Sequence, residues 1–127
     1  MKYHFKVRKE GSGYWAGGIE LKGCLTEADT KSDLQKNLEE VLNLYLDEPG
    51  SSKVIFPLPK KSVKGENIIT VECDEKIAFA LLLRQWRLKQ RLTQRKAAEK
   101  LGYKNLYAYQ KLENSKTANP TLATLSK

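Results

Sequence analysis

The sequence predicts an α+β protein in two parts: a small antiparallel sheet with one helix, followed by an all-α part. Residues 3–8 alternate apolar side chains with His, Lys and Arg, which is the period of a half-buried strand. Residues 34–45 carry apolar side chains at the spacing of one helix face. In the C-terminal part, helical patterns follow one another closely. We therefore expect a first domain over residues 1–74 and a second domain over residues 75–127.

Two more strands follow the first one. Residues 10–13 contain Gly-Ser-Gly and predict a hairpin turn. Residues 14–21 predict the second strand, which Gly17 and Gly18 bend or bulge. Residues 23–26 can supply a third, short strand. The first three strands would thus form a small antiparallel sheet.

The first helix is predicted directly after these strands. Thr30 or Ser32 is its N-cap, and Ser32 and Gln35 have the spacing of a capping box. Its apolar stripe consists of Leu34, Leu38, Val41, Leu42 and Tyr45. The helix would cover one face of the sheet.

A fourth strand is predicted at residues 68–73. Before it, residues 53–59 are apolar, but Pro57 and Pro59 restrict them to an edge strand or an extended segment. Residues 60–67 form a polar loop. The first domain is therefore β-β-β-α-β, a sheet with one helix on one face.

The second domain begins with a long helix, followed by a short one. Asp74 can cap the long helix, which is apolar almost all round over residues 77–83 and should be buried on two sides. Thr93 is positioned as the N-cap of the next helix. Ala97, Ala98 and Leu101 then lie on one face, and Gly102 ends the segment at the C′ position.

A second short helix follows almost at once. Asn105 is its expected N-cap, and the helix runs over residues 106–113. Its inner edge contains Leu112 with Ala108 or Tyr109. Its outer edge contains Tyr107, Gln110 and Lys111. Two short helices joined by a tight turn are typical of the helix-turn-helix, which places its second helix in a DNA major groove.

The C-terminal part resembles the Cro/C1 (XRE-like) repressor pattern over about its last fifty residues. Between Gly102 and Leu112 the chain is one residue longer than the family's usual spacing. The matching positions are Arg84, Arg87, Leu92-Thr93-Gln94, Ala98, Leu101-Gly102, Leu112-Glu113 and Asn119-Pro120-Thr121-Leu122. The segment after Pro120 looks like the first turn of a further helix.

The charge is distributed unevenly between the two parts. Residues 1–74 hold eleven Lys and Arg against twelve Asp and Glu, a net charge of −1. Residues 75–127 hold twelve against three, a net charge of +9. The basic excess lies in the helix-turn-helix part, as expected for a protein that contacts DNA phosphates.

The chain as a whole resembles the HicB antitoxin family. The residues that carry this resemblance are Tyr14-Trp15-Ala16, Gly23-Cys24, Thr26, Asp29-Thr30, the helix end Leu44-Tyr45-Leu46, and Pro57-Leu58-Pro59. The family usually has Gly where this chain has Ala28. The resemblance implies a partial RNase H-like N-terminal domain that masks a small mRNA-cleaving toxin of the HicA type. It also implies a C-terminal domain that binds and represses the operator of the shared operon.

Candidate contact residues follow from the motif and the resemblance. For double-stranded operator DNA they are Gln94, Arg95, Lys96, Lys104, Asn105, Tyr107, Gln110 and Lys111. Gln and Asn can pair with adenine and Lys with guanine, while Arg and Lys also contact phosphates. For the toxin the only candidates are Tyr14 and Trp15, which are more typical of strand packing. Because one helix-turn-helix reads few base pairs, we expect a homodimer or a higher homo-oligomer.

The sequence favours a protein without enzymatic activity, metal or cofactor. Glu10, Glu20 and Glu72 are expected on solvated strand ends or outer faces, so they form no carboxylate set for two-metal catalysis. His4 is expected to point outward. Cys24 and Cys73 are expected to be buried and reduced, as in the cytoplasm.

The sequence is also compatible with two other functions. One is a stand-alone repressor whose N-terminal domain senses a small molecule in a pocket near Tyr14 and Trp15. The other is a nuclease with an appended DNA-binding domain, for which we expect no activity. No run of apolar residues reaches the length of a membrane span, and no apolar signal segment opens the chain. We therefore expect a cytoplasmic protein.

Overall fold

A computed structural model describes residues 1–118, so the Asn119–Leu122 positions of the repressor pattern and the helix turn expected after Pro120 lie outside the described residues. The chain forms two compact units. The first contains Met1–Tyr45 and Phe56–Cys73. The second contains Leu46–Ile55 and the chain from Asp74 onward. Residues 46–55, which the sequence analysis assigned to the first domain, thus belong to the second unit.

The first unit contains a four-stranded sheet. Its strands are β1 (Lys2–Glu10), β2 (Gly13–Gly18), β3 (Leu25–Ala28) and β4 (Ile68–Glu72). They lie in the order β3-β2-β1-β4, and each neighbouring pair is antiparallel. The sheet is built on β1, where Phe5 lies opposite both Gly18 of β2 and Ile69 of β4. The predicted α+β class is confirmed.

The second strand is shorter than predicted, and the third begins later. β2 ends at Gly18 because the chain turns back immediately after it. The Gly18 amide donates to the Cys24 carbonyl at 2.8 Å, and the Cys24 amide donates to the Leu21 carbonyl at 3.2 Å. A Cβ on Gly18 would lie 2.5 Å from the Leu21 carbonyl oxygen, so glycine is required for this turn. The turn takes residues 19–24 out of the strands.

Helix α1 (Lys31–Leu46) has the predicted apolar stripe. The Thr30 hydroxyl accepts a hydrogen bond from the Asp33 amide at 3.1 Å, so Thr30 is the capping residue and Ser32 lies inside the helix. Leu34, Leu38 and Leu42 are almost fully buried. The apolar core of the first unit also contains Tyr3, Phe5, Ala16, Leu21, Cys24, Val71 and Cys73.

The proline-containing segment 53–59 has no regular secondary structure and does not join the sheet. Within the first unit, the Tyr3 hydroxyl donates to the Pro57 carbonyl at 2.8 Å. Burial, together with the negative charge of Cys73 and Glu20, raises the pKa of Tyr3 to about 12. This phenol therefore acts only as a neutral donor to the segment.

His4 and Glu20 correct the sequence analysis, which placed both side chains in solvent. His4 is only 6% exposed. Its Nδ1 lies 2.7 Å from Glu20 Oε2, and its main-chain amide donates to Glu20 Oε1 at 2.9 Å. The prediction was wrong because the segment after β2 continues alongside β1, where the Ile19 amide donates to the His4 carbonyl. That segment covers a face that strand alternation alone marks as exposed.

The second unit is helical. It contains α2 (Glu75–Lys89), α3 (Gln94–Lys100), α4 (Leu106–Gln110) and a 3₁₀ turn over Lys111–Glu113. The Asp74 carboxylate accepts from the Lys76 and Ile77 amides, which confirms it as the cap of α2. The helix predicted over residues 106–113 is therefore two elements, since its last three residues tighten into the 3₁₀ turn.

Cys24 and Cys73 are buried thiols, as expected. Across residues 1–118, no group of three His, Cys, Asp or Glu side chains is arranged to hold a metal ion. The helices described here are too short or too polar to cross a membrane.

Candidate nucleic-acid interface

The two short helices of the motif start at the caps that the sequence predicts. The Thr93 hydroxyl accepts from the Lys96 amide at 3.1 Å and caps α3. The Asn105 side chain accepts from the Ala108 amide at 2.8 Å and caps α4. Between them, Gly102 has a φ of +81°, a left-handed conformation that glycine adopts without strain. These signals place a tight turn between α3 and α4.

A small apolar core holds α3 and α4 together. It is centred on Ala97, Ala98 and Tyr109, and the surrounding side chains are Leu83, Trp86, Leu92, Leu101 and Tyr103. Because alanine is small, α4 can approach α3 closely at this point. Of the two residues expected at the inner edge of α4, Tyr109 is fully buried and Ala108 is half-buried.

A chain of side-chain amides joins the first residue of α3 to the last residue of α4. Gln110 Nε2 donates to Gln94 Oε1 at 3.0 Å, and Gln94 Nε2 donates to Glu113 Oε1 at 3.0 Å. Both glutamines are half-buried. Each amide is therefore held in one orientation, with part of its surface in solvent.

This series of hydrogen bonds between side chains ends at a buried charged pair. Arg87 of α2 donates from Nε to Glu113 Oε2 at 2.7 Å and from Nη2 to Glu113 Oε1 at 3.1 Å. Burial disfavours the guanidinium charge, but the hydrogen bond and charge of Glu113 raise the pKa of Arg87 above its usual value.

The Tyr109 hydroxyl donates to the same carboxylate. Burial and the Glu113 carboxylate together raise the pKa of this tyrosine well above its usual range. Glu113 is thus the shared acceptor that connects α2, α3 and α4 inside the unit.

The other proposed DNA contacts are exposed. Lys111 Nζ lies 4.8 Å from the centre of the Tyr107 ring, so these two side chains form a cation–π pair on the outer side of α4. Lys96 lies 3.8 Å from Glu99 in a pair that is open to solvent. The exposed candidates are Arg95, Lys96, Lys104, Asn105, Tyr107 and Lys111.

The two toxin-contact candidates, Tyr14 and Trp15, lie in the other unit. Both are half-buried on β2. The Arg8 guanidinium lies 5.4 Å from the Trp15 ring centre, and the Lys9 and Lys31 ammonium groups each lie 5.9 Å from the Tyr14 ring centre. Each of the two rings therefore has at least one cation within cation–π distance.

The role of the Arg87–Glu113 pair was not predicted from the sequence. Both residues match the repressor pattern, but no local signal shows that positions 26 residues apart form a buried ion pair. A charged residue at a helix position flanked by apolar ones was the available clue.

Comparison with known proteins agrees with this geometry. The family model HTH_3, described as helix-turn-helix, matches residues 83–127. The C-terminal part is therefore a DNA-binding helix-turn-helix domain, which is typical of transcriptional regulators. A UPF0150 protein of Helicobacter pylori strain J99 is 30% identical over 57 residues, which cover 45% of this chain and 79% of that relative. By this match, the chain belongs to the UPF0150 family.

Proposed function

We propose that this protein is an antitoxin that neutralises a small mRNA-cleaving toxin of the HicA type and represses its own operon. Two independent findings support the proposal. The UPF0150 family is related to HicB, whose residue pattern the chain also resembles. The helix-turn-helix match supplies the DNA-binding half of such a protein.

The main structural support for the DNA-binding part of this proposal is the Gln94–Gln110 hydrogen bond. An amide side chain has two N–H donors and one acceptor oxygen. The bond to Gln94 uses one donor of Gln110. The second donor and Oε1 together match the N7 and N6 groups of adenine in the major groove. Gln94 would thus hold Gln110 in the orientation that base reading requires.

Phosphate contacts would come from the exposed basic residues around this pair. Arg95 and Lys96 lie in the first turn of α3, and Lys104 lies just before α4. Their charges would hold the motif on the duplex without reading its sequence. A dimer would present two copies of the motif to a two-fold operator.

The toxin-binding half is supported by charge. Residues 1–74 have a net charge of −1, so a basic RNA-binding toxin would meet less repulsion there than at the basic C-terminal part. Beside Tyr14 and Trp15, a surface cavity of about 610 Å³ carries the carboxylates of Glu10, Glu27 and Asp29. These acidic groups suit the basic side chains of such a partner.

The DNA-binding half is tested with the full chain and the DNA upstream of its own gene. We expect Gln110→Ala to weaken specific binding by about 1–3 kcal/mol and to leave non-specific binding nearly unchanged. Lys104→Ala should weaken both and reduce the salt dependence by about one phosphate contact. An equal loss on both DNAs for Gln110→Ala would remove the base-reading role.

The toxin-binding half is tested in cells. The small reading frame next to this gene should arrest growth when expressed alone, and co-expression of the full chain should restore growth. Gln110→Ala should still restore growth, because it changes only the DNA-binding half. If the neighbouring product is harmless, or if the full chain does not protect against it, the antitoxin proposal fails.

The alternative is a stand-alone repressor that senses a small molecule. It is favoured by a second cavity of about 500 Å³ in the first unit, bordered by the sheet and α1. Apolar side chains line part of it, including Val7, Leu34 and Ile69, next to Tyr14. A harmless neighbouring gene together with tight operator binding would favour this function.

A further inference from the structure

The segment 46–55 is fastened to the helix-turn-helix within the second unit. Arg87 Nη2 donates to the Gly50 carbonyl at 3.0 Å. Arg84 Nη1 donates to the Ser52 and Val54 carbonyls at 3.1 and 2.7 Å. The Arg84 side chain is almost completely buried, so these main-chain oxygens stabilise a charge that has left water.

The same segment is attached at its other end. The Ser115 hydroxyl donates to Asp47 Oδ1 at 2.7 Å, just beyond the 3₁₀ turn. The segment is therefore held by α2 on one side and by the end of the motif on the other. Gly50 lies between Asp47 and the two carbonyls bound by Arg84, and its own carbonyl is bound by Arg87.

Gly50 is the point where the segment meets the amide of Gln94. A Cβ on Gly50 would lie 2.8 Å from Gln94 Nε2 and 3.4 Å from Glu113 Oε1. Gly50 is not among the residues with a positive φ, so its backbone does not itself require glycine. A side chain at position 50 would, however, have to displace the Gln94 amide.

The Gln94 amide cannot move without changing Gln110. Its Nε2 is the donor to Glu113 and its Oε1 is the acceptor from Gln110. Because Nε2 is the far end of a flexible side chain, a methyl group on Gly50 would displace it at little cost to the fold. The displaced amide would lose Glu113, and Gln110 would lose the acceptor that orients it.

We propose that Gly50 is a positioning residue for operator recognition. It acts by leaving room for the Gln94 amide in the position where that amide accepts the hydrogen bond from Gln110. This inference rests on the proposed DNA-binding role of Gln94 and Gln110. It assigns part of the recognition surface to a segment that lies far from the helix-turn-helix in sequence. Gly50 itself lies beside the Gln94 side-chain amide and need not contact DNA.

The test is a double-mutant cycle with the full chain and its upstream DNA. We expect Gly50→Ala to weaken specific binding about tenfold, comparable to the loss of one base contact. In a Gln94→Ala background, which removes the displaced amide, Gly50→Ala should change affinity by less than about twofold. Ser51→Ala, at the exposed neighbouring position, is the matched control and should bind as the wild type does.

Two results would overturn the inference. One is wild-type affinity for Gly50→Ala. The other is a loss of affinity that is as large in the Gln94→Ala background as in the wild type, because the substitution would then act through the segment as a whole. If Gly50→Ala is poorly folded, adding Gln94→Ala should restore its melting temperature, and failure to do so would also reject the contact.

A structural measurement separates this inference from the proposed function. The Gln94 and Gln110 side-chain amide signals in an NMR spectrum should both shift in Gly50→Ala and remain unchanged in Ser51→Ala. Unshifted Gln110 signals would reject the positioning role. If the wild-type chain fails to bind its upstream DNA, the proposed function fails, and the NMR result still decides whether Gly50 orients the amides.

Discussion

Arg87 and Glu113 form a buried, two-point ion pair across the helix-turn-helix. The two N–O distances are 2.7 and 3.1 Å, and the side chains are 8% and 0% exposed. The pair joins α2 to the 3₁₀ turn that closes the motif. Since Gln94 and Tyr109 donate to the same carboxylate, one buried charge connects all the helices of the motif.

Removing that charge should destabilise the second unit strongly. Glu113→Gln keeps the shape of the side chain but leaves the Arg87 guanidinium buried without its partner charge. We expect the free energy of unfolding to fall by about 3 kcal/mol. Urea denaturation in a Trp15→Phe background, in which Trp86 is the one remaining tryptophan, measures this change by fluorescence.

The control for Glu113→Gln is a second acidic residue in the same unit. Glu99 pairs with Lys96 at 3.8 Å, with side chains that are 62% and 68% exposed. Glu99→Gln should therefore change stability by less than about 0.5 kcal/mol. Similar small effects for both variants would show that the buried pair contributes little.

Two substitutions distinguish the capping role of Asn105 from its proposed role as a base contact. Its Oδ1 accepts from the Ala108 amide, so Asn105→Ala should cost about 1 kcal/mol of stability. Asn105→Ser should retain the cap and nearly all of the stability. Because the cap uses only Oδ1, the Nδ2 group can still donate to a base. We therefore expect the serine variant to bind the operator more weakly than the wild type, by about 1 kcal/mol.

The outcome for the serine variant decides between the two roles. A stable Asn105→Ser protein with full operator affinity would restrict this residue to capping. Thermal unfolding and DNA titration on the same preparations give both quantities.

The buried Glu20 carboxylate should make the first unit sensitive to acid. Burial opposes its charge, but hydrogen bonds from the His4 side chain and from the His4 and Lys60 amides lower the pKa of Glu20 below its ordinary value of 4.5. A lowered pKa in the folded state means that the ionised form stabilises the fold. This contribution is complete above pH 4.5 and is lost as the pH falls through the folded pKa.

Glu20→Gln should remove this dependence. The difference in unfolding free energy between wild type and Glu20→Gln should be largest near neutral pH and should shrink below about pH 4.5. Denaturation curves recorded at intervals of about one pH unit from pH 3 to pH 7 measure this difference in unfolding free energy. Glu27→Gln, at an exposed position on β3, serves as the control. A constant difference at every pH would contradict the ionised hydrogen-bonded carboxylate.

The thiol of Cys24 should be unreactive in the folded protein. It is fully buried, and burial raises its pKa to about 11. At pH 8 the thiolate fraction is then at least about a hundredfold below that of a free cysteine. Iodoacetamide should label Cys24 slowly in the native protein and rapidly in urea. Rapid native labelling at this position, located by peptide mapping, would show that the core of the first unit opens readily.

The sequence by itself determined the local elements of this protein. Helix caps and turns depend on neighbouring residues, so Asp74, Thr93 and Asn105 could be identified as caps and Gly102 as a helix end. The apolar stripe of α1 follows from its spacing for the same reason. The two-part charge distribution also follows from composition alone, and it indicated which part contacts DNA.

Only the tertiary structure decided which distant groups meet. Strand alternation assigned His4 to solvent, because it does not show that the segment after β2 continues alongside β1 and brings Glu20 to His4. The assignment of residues 46–55 to the second unit depends on main-chain carbonyl groups that accept hydrogen bonds from Arg84 and Arg87. Every residue has such a carbonyl group, so the sequence does not show which of them these arginines bind. The close approach between Gly50 and Gln94, a side chain 44 positions later in the chain, is likewise visible only in the tertiary structure.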